Sequence, residues 1–219
     1  MINEEVYKSI LESIKLTHTT LVAVSKTKPT SDIEALYNLG QRDFGENYVQ
    51  ELIDKQGILP SDIKWHFIGH LQRNKVKYIV PFVYLIQGVD SYNLLKEINT
   101  QASKVNRTID CLIQIHIAQE ETKFGFDEAE LDELFSTNLA GLTHITIRGM
   151  MGMASFSEDQ ELLRKEFRRL TSLFDKYKNF ITPNCQLSTI SMGMSGDYLL
   201  AIEEGSTMVR IGSLLFGKR

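Results

Sequence analysis

Between positions 158 and 177 the apolar residues Leu162, Leu163, Phe167, Leu170, Phe174 and Tyr177 recur at helical spacing, which predicts an amphipathic helix. The same patterning predicts helices over 31–39, 48–55, 71–79, 92–105, 127–135 and 197–204, with a leading helix over 4–16. Ser31-Asp32-Ile33-Glu34 has the form of a capping box ahead of an apolar face. Short apolar runs at 20–25, 43–45, 64–68, 83–89, 109–116, 144–149, 186–189 and 207–210 read as strands. Strands that alternate with helices predict a parallel sheet with both faces covered. A closed barrel and an open doubly wound sheet both satisfy that alternation. The number of runs and the 219-residue length favour one TIM-type (β/α)8 barrel domain spanning 1–219, behind the leading helix. In either fold the reactive groups belong at the carboxyl ends of the strands.

Composition narrows the function classes. Net charge is −4, from 24 Lys+Arg against 28 Asp+Glu, so no general affinity for nucleic acid or anionic membranes is expected. The two cysteines, Cys111 and Cys185, suggest neither a disulfide framework nor a zinc site. The first residues carry Glu4 and Glu5 and lack the apolar block of a signal peptide. The most apolar stretch, 78–89, is too short to span a bilayer and contains Pro81. The cytoplasm is the expected location, and the sequon at 106–108 is read as chance.

Candidate chemistry gathers at the predicted strand ends. Val22, Val24 and Lys26 share one face of the first strand, which Pro29 closes. A lysine at the rim of an apolar interior is partly desolvated, which favours the nucleophilic amine needed to condense with a carbonyl cofactor. The bland reading is a solvated lysine beside a turn, and it applies to Lys28 as well. Asn47, after the second strand, either caps the next helix or bonds a ligand. His66 is a core histidine or a pocket-lining one; His18, His116 and His144 show no ligand spacing. Met150 fills a core gap or packs on a flat ring. The segment Ser191-Met192-Gly193-Met194-Ser195-Gly196-Asp197 and the pair Gly212-Ser213 follow the seventh and eighth strands. Glycines and serines there supply backbone N–H and hydroxyl donors where such barrels bind phosphate, although such loops are also plain connections. Arg210 carries donors only, and could grip a phosphate, a carboxylate or a ring nitrogen.

The motifs AVSKTKP (23–29), FGENYVQE (44–51), WHFIGHLQ (65–72) with Asn74-Lys75, SMGMSGD (191–197) and GSTMVRIG (205–212) resemble, in this order, those of the pyridoxal phosphate homeostasis protein family. The resemblance covers nearly the whole chain. It implies a barrel like the N-terminal domain of alanine racemase, the fold type III arrangement for pyridoxal 5′-phosphate (PLP), with the cofactor held as an aldimine on Lys26. It further implies Arg210 facing the pyridine nitrogen, Ser191, Ser195, Gly212 and Ser213 around the phosphate, and Asn47, His66 and Met150 around the ring. The function it implies is vitamin B6 and amino-acid homeostasis without established catalysis. Cofactor-requiring apo-enzymes would be the acceptors, and a monomer is expected. The rival expectation is a PLP-dependent racemase or lyase. A racemase of this kind would bring a second, β-rich domain with a catalytic tyrosine, which is not expected in a chain ending at Arg219. One departure stands out: GMMGMASF (149–156) replaces a proline-containing segment of many relatives. Lys123 falls in a family-like motif and reads either as a second amine near the pocket or as an exposed loop lysine.

Overall fold

A computed structural model describes residues 2–119, 124–137 and 139–217. Lys123 lies outside the described residues. Eight parallel strands close into a barrel in sequence order: β1 (Thr20–Val24), β2 (Asp43–Glu46), β3 (Lys64–Phe67), β4 (Leu85–Val89), β5 (Ile109–Ile115), β6 (Ile145–Gly152), β7 (Cys185–Ser191) and β8 (Met208–Ile211). The pairing of β8 with β1, Thr20 opposite Met208 through Ala23 opposite Ile211, closes the ring and excludes the open sheet.

Around it run α1 (Glu4–Ile14), α2 (Thr30–Asn38), α3 (Val49–Gln56), α4 (Val76–Ile79), α5 (Tyr92–Lys104), α6 (Glu128–Ser136), α7 (Gln160–Tyr177), α8 (Tyr198–Glu203) and α9 (Ser213–Phe216). The periodic stripe of α7 buries Leu163, Phe167, Leu170, Leu173 and Tyr177, and Asp159 caps its first turn by accepting from Glu161 N and Leu162 N. No helix among the described residues is long and apolar enough to cross a membrane.

Alternation along each strand divides the core in two. Outward residues such as Phe44, Phe67, Ile86, Cys111, Ile113 and Ile147 pack under the helices in one large cluster. Inward residues Val22, Leu85, Leu112, Met151 and Met208 meet in a separate cluster inside the barrel. Further buried side chains of the lumen are polar, among them His66, Gln87, Gln114, Ser191 and Arg210.

Several expectations are corrected. The segment 31–34 forms no capping box: α2 enters directly from Pro29, whose backbone is already extended, so Ser31 is inside the first turn. A capping box is present instead at Asp127 and Glu130 of α6. The predicted helix over 71–79 is lost on its amino-terminal side, leaving a 3₁₀ turn, Arg73–Lys75, and the single turn of α4, which ends at Ile79 as predicted. Strand β6 runs on to Gly152, past the predicted end at 149, because a register shift between Ile147 and Gly149 lets the methionine segment keep pairing with β5 and β7.

Candidate functional site

The carboxyl ends of β1 and β8 meet beside the loop that follows β7, and between them opens a cleft of about 460 Å³. Val24 and Lys26 form one wall, continuing the inward row that starts with Val22. The opposite wall carries Ser195, Gly196, Gly212 and Ser213, and Arg210 lies at the back. Five of the residues named from the sequence, Lys26, Ser195, Arg210, Gly212 and Ser213, therefore share one cavity.

The turn that presents Lys26 is braced from behind. Thr27 has φ 64°, the left-handed region, which costs a residue with a Cβ roughly 1–3 kcal/mol and persists only when its surroundings hold it. Glu51 Oε1 accepts from Thr27 N at 2.5 Å. Ser25 Oγ donates to Glu46 Oε1 at 2.6 Å, and Lys55 Nζ donates to Ser25 O at 2.8 Å. Lys55 is also paired with Glu46 at 2.8 Å and with Glu51 at 2.6 Å, so one buried ammonium links both carboxylates to the turn. Burial pushes the Glu46 carboxyl above the ordinary glutamate range, against the pull of Lys55 and Ser25. Lys28 lines the same cavity, and its ammonium donates to the carbonyls of Phe216 at 3.0 Å and Gly217 at 3.2 Å.

The wall opposite is shaped by glycine and by Asp197. Gly193 has φ 94°, and a Cβ there would meet Ala201 Cβ at 2.6 Å, so the loop can turn this tightly only with glycine. Asp197 Oδ1 accepts from Met194 N at 2.5 Å and fixes the next turn. Ser195 Oγ accepts from Gly212 N at 3.3 Å, joining the β7 and β8 loops across the cleft wall. The result is a concentration of N–H and hydroxyl donors at Ser195, Gly196, Gly212 and Ser213, the chemistry that suits a phosphate; Asp197 also lines the cavity, with its Oδ1 accepting from Met194 N.

Arg210 is buried, and its Nη1 donates to Ser191 Oγ at 2.6 Å while Nη2 donates to Gly152 O at 2.9 Å. Burial lowers its pKa to about 10, with the Asp197 carboxylate opposing that fall. The guanidinium thus remains a cation at neutral pH. On the other side of the mouth, Ser155 donates both its N–H and its hydroxyl to the two oxygens of buried Glu166, each at 2.7 Å, which pins the loop after β6.

The remaining candidates lie apart from this cavity. Ser191 and His66 are inside the barrel behind Arg210, both fully buried. Met150 points out of the lumen into the strand–helix core, and Met151 is the methionine that faces inward. The register shift in β6 decides which of the two faces the lumen, and sequence does not show it. Asn47 lines a neighbouring groove with Tyr48, Phe67 and His70; it does not cap α3, whose N-cap is Tyr48. Its Oδ1 is buried and has no hydrogen-bond partner among the described residues.

Sequence reading missed Gln87, Glu46 and Lys55. Gln87 had a usable signal, since it is a polar residue within an otherwise apolar strand. Glu46 and Lys55 had none, because their contact joins a strand end to the last turn of a helix.

The chain matches known proteins over nearly its whole length. The alanine racemase N-terminal domain family matches residues 6–219. A pyridoxal phosphate homeostasis protein of Aquifex aeolicus is 44% identical over 200 residues, covering 91% of this chain and 86% of that one. The chain belongs to the pyridoxal phosphate homeostasis protein family. Members from Pasteurella multocida and Schizosaccharomyces pombe are 39% and 38% identical, each over 91% of this chain and covering 86% and 84% of their own. Among solved structures, the family's PipY from Synechococcus elongatus superimposes with a TM-score of 0.91 without PLP, at 33% identity over 97% of this chain and 99% of that one. PipY with PLP bound gives 0.83, over 95% of this chain and 100% of that one. Alanine racemase of Bartonella henselae, at 18% identity and a TM-score of 0.70, shares the fold over 94% of this chain and 56% of its own length.

Proposed function

We propose that this protein binds pyridoxal 5′-phosphate in the cleft between β1 and β8, as a Schiff base on Lys26, and serves vitamin B6 and amino-acid homeostasis as a reversible carrier. The observation that carries this reading is the meeting of Lys26, Arg210 and the donor wall of Ser195, Gly212 and Ser213 in one cavity. Lys26 would hold the aldehyde, the donor wall the phosphate, and Arg210 the ring nitrogen. Ser191 and His66 would act from behind Arg210; nothing in the geometry gives Met150 a place against the ring. PipY has been solved with PLP bound, and the relatives from Aquifex aeolicus and elsewhere are named for PLP homeostasis, which supports the reading. In this reading the protein works in the cytoplasm as a monomer and passes the cofactor to apo-enzymes, without nucleic-acid or membrane partners.

When bound, the cofactor supplies an electron sink, which works best with a protonated ring nitrogen. Arg210 donates and cannot accept, so it leaves that nitrogen unprotonated and weakens the sink. Purified protein with added PLP is therefore expected to show a visible absorption band that borohydride removes, with the reduced adduct on a Lys26 peptide. An adduct mainly on Lys28 or Lys123 would overturn the assignment. In deuterated water, α-proton exchange on a panel of amino acids should stay near background. Fast exchange that depends on Lys26 would make the protein an enzyme.

A second expectation concerns the donor wall. A hydrogen bond to a charged group is worth roughly 1.5–3 kcal/mol. Ser195→Ala should thus weaken PLP affinity about 10- to 150-fold in a titration. An unchanged affinity would remove Ser195 from the phosphate site.

A further inference from the structure

Five polar residues inside the barrel form one continuous chain. It starts at Arg210 on β8, whose Nη1 donates to Ser191 Oγ on β7 at 2.6 Å. Ser191 Oγ donates to Gln87 Oε1 on β4 at 2.7 Å. Gln87 Nε2 meets His66 Nδ1 on β3 at 2.9 Å, and His66 Nε2 meets Asp43 Oδ1 on β2 at 2.9 Å. Ser191, Gln87 and His66 are fully buried, while the Asp43 side chain is 20% exposed at the amino-terminal end of the barrel. The chain therefore crosses the lumen from the cleft to the opposite face.

Its chemistry leaves one arrangement of protons. A guanidinium only donates, so Ser191 Oγ must accept from it and turn its own hydrogen to Gln87 Oε1. That contact fixes the amide with its NH₂ toward His66, so Nδ1 must accept. The imidazole proton then sits on Nε2 and points at Asp43, whose carboxylate only accepts. A donor-only group at one end and an acceptor-only group at the other set the direction of every bond between them. Removing the Asp43 acceptor strands the buried Nε2–H, so a shift of the proton to Nδ1 then competes with the order that Arg210 imposes. Where it shifts, the amide must reverse, and Ser191 receives two donors with no acceptor for its own hydrogen. The disturbance would thus travel the length of the chain to Arg210.

We propose that Asp43, His66, Gln87 and Ser191 are positioning residues for Arg210: they lock the plane of its guanidinium so that the N–H groups not used by Ser191 and Gly152 face the cleft. The part played by those N–H groups toward a cofactor ring rests on the function proposed above; the locking itself does not.

The test uses the whole ¹⁵N-labelled protein without cofactor. Long-range ¹H–¹⁵N spectra should show His66 as the Nε2–H tautomer, and the Nη signals of Arg210 should be resolved from one another by hindered rotation. In Asp43→Ala the histidine should become a tautomer mixture and the Arg210 Nη signals should merge. Affinity for PLP should fall about 3- to 10-fold, the range for one hydrogen bond of ordinary worth. Asp43→Asn keeps an acceptor oxygen and should restore all three readouts, which a general loss of packing would not. A wild-type His66 protonated on Nδ1 would overturn the proposal without any variant. So would Arg210 signals that Asp43→Ala leaves unchanged, or an Asp43→Asn protein as damaged as Asp43→Ala. If the spectra behave as expected but wild-type protein fails to bind PLP, the locking stands and the cofactor reading falls.

Discussion

Replacing Lys55 by methionine is expected to cost about 3–5 kcal/mol of stability, the range for stranding a buried charge by removing its partner. Its ammonium is the cation paired with Glu46, whose side chain is 0% exposed, and with Glu51. Methionine fills similar space but offers no donor. Glu46 Oε2 already has no partner among the described residues, so the carboxyl would keep only its bond from Ser25. At roughly 2–4 °C per kcal/mol for a protein of this size, the melting temperature should fall by about 10 °C. The deficit should also depend on pH. The Glu46 carboxyl is already raised by burial, and losing Lys55 raises it further. A carboxyl raised in the folded state favours folding below its unfolded value, about 4.3, and loses that contribution as pH rises through the folded value. The deficit should therefore be full near pH 7.5 and shrink on acidification toward pH 5, which urea titrations at both pH values will show. A variant as stable as wild type at pH 7.5 would mean that Glu46 finds another donor or is protonated throughout.

Lys26→Ala should abolish the borohydride-stable adduct with PLP. Residual binding should be reversible and carried by the donor wall of Ser195, Gly212 and Ser213, so Ser195→Ala added to Lys26→Ala should remove most of what remains. Because Lys26 stands at the rim of the barrel, outside the buried luminal cluster, the loss of its side chain should leave the melting temperature close to wild type. That separates it from the Lys55 variant, which acts through the fold. Trapping that continues in Lys26→Ala, with the label on a lysine outside the cleft, would show that the cleft is not the seat of the covalent bond; a label on Lys28 would keep the cleft but remove Lys26 as its amine.

The alternation of apolar runs and helical stripes was enough to read a covered parallel sheet, because outward strand residues and helix faces must meet in one layer; its closure into a barrel was read from the number of runs, the chain length and the family resemblance. Lys26 was legible for the same reason: the two-residue period that buries Val22 also aims Lys26. The phosphate candidates were legible from glycine and serine after the last two strands. Contacts between distant elements were not. Nothing in the order of residues shows that Lys55, in the last turn of α3, reaches under Ser25, or that Gln87 joins His66 to Ser191 across the lumen. The face of Met150 depended on a register shift that leaves no mark in the pattern of apolar residues. The loss of the first half of the helix over 71–79 was hidden by the apolar stripe from Leu71 to Ile79.

The cleft draws its walls from β1 and β8, neighbours in space that stand at opposite ends of the sequence, and their pairing is what shuts the ring. Such a site does not exist in any partly folded chain that has formed only the early strands. Bringing residues so far apart in sequence together is a slow step, because the entropy of closing the loop is lost before the contact is gained. Cofactor occupancy would then report on completion of the ring, and each bound molecule would weight the equilibrium toward the closed form. At 100 times its dissociation constant a ligand adds about 2.7 kcal/mol in this way.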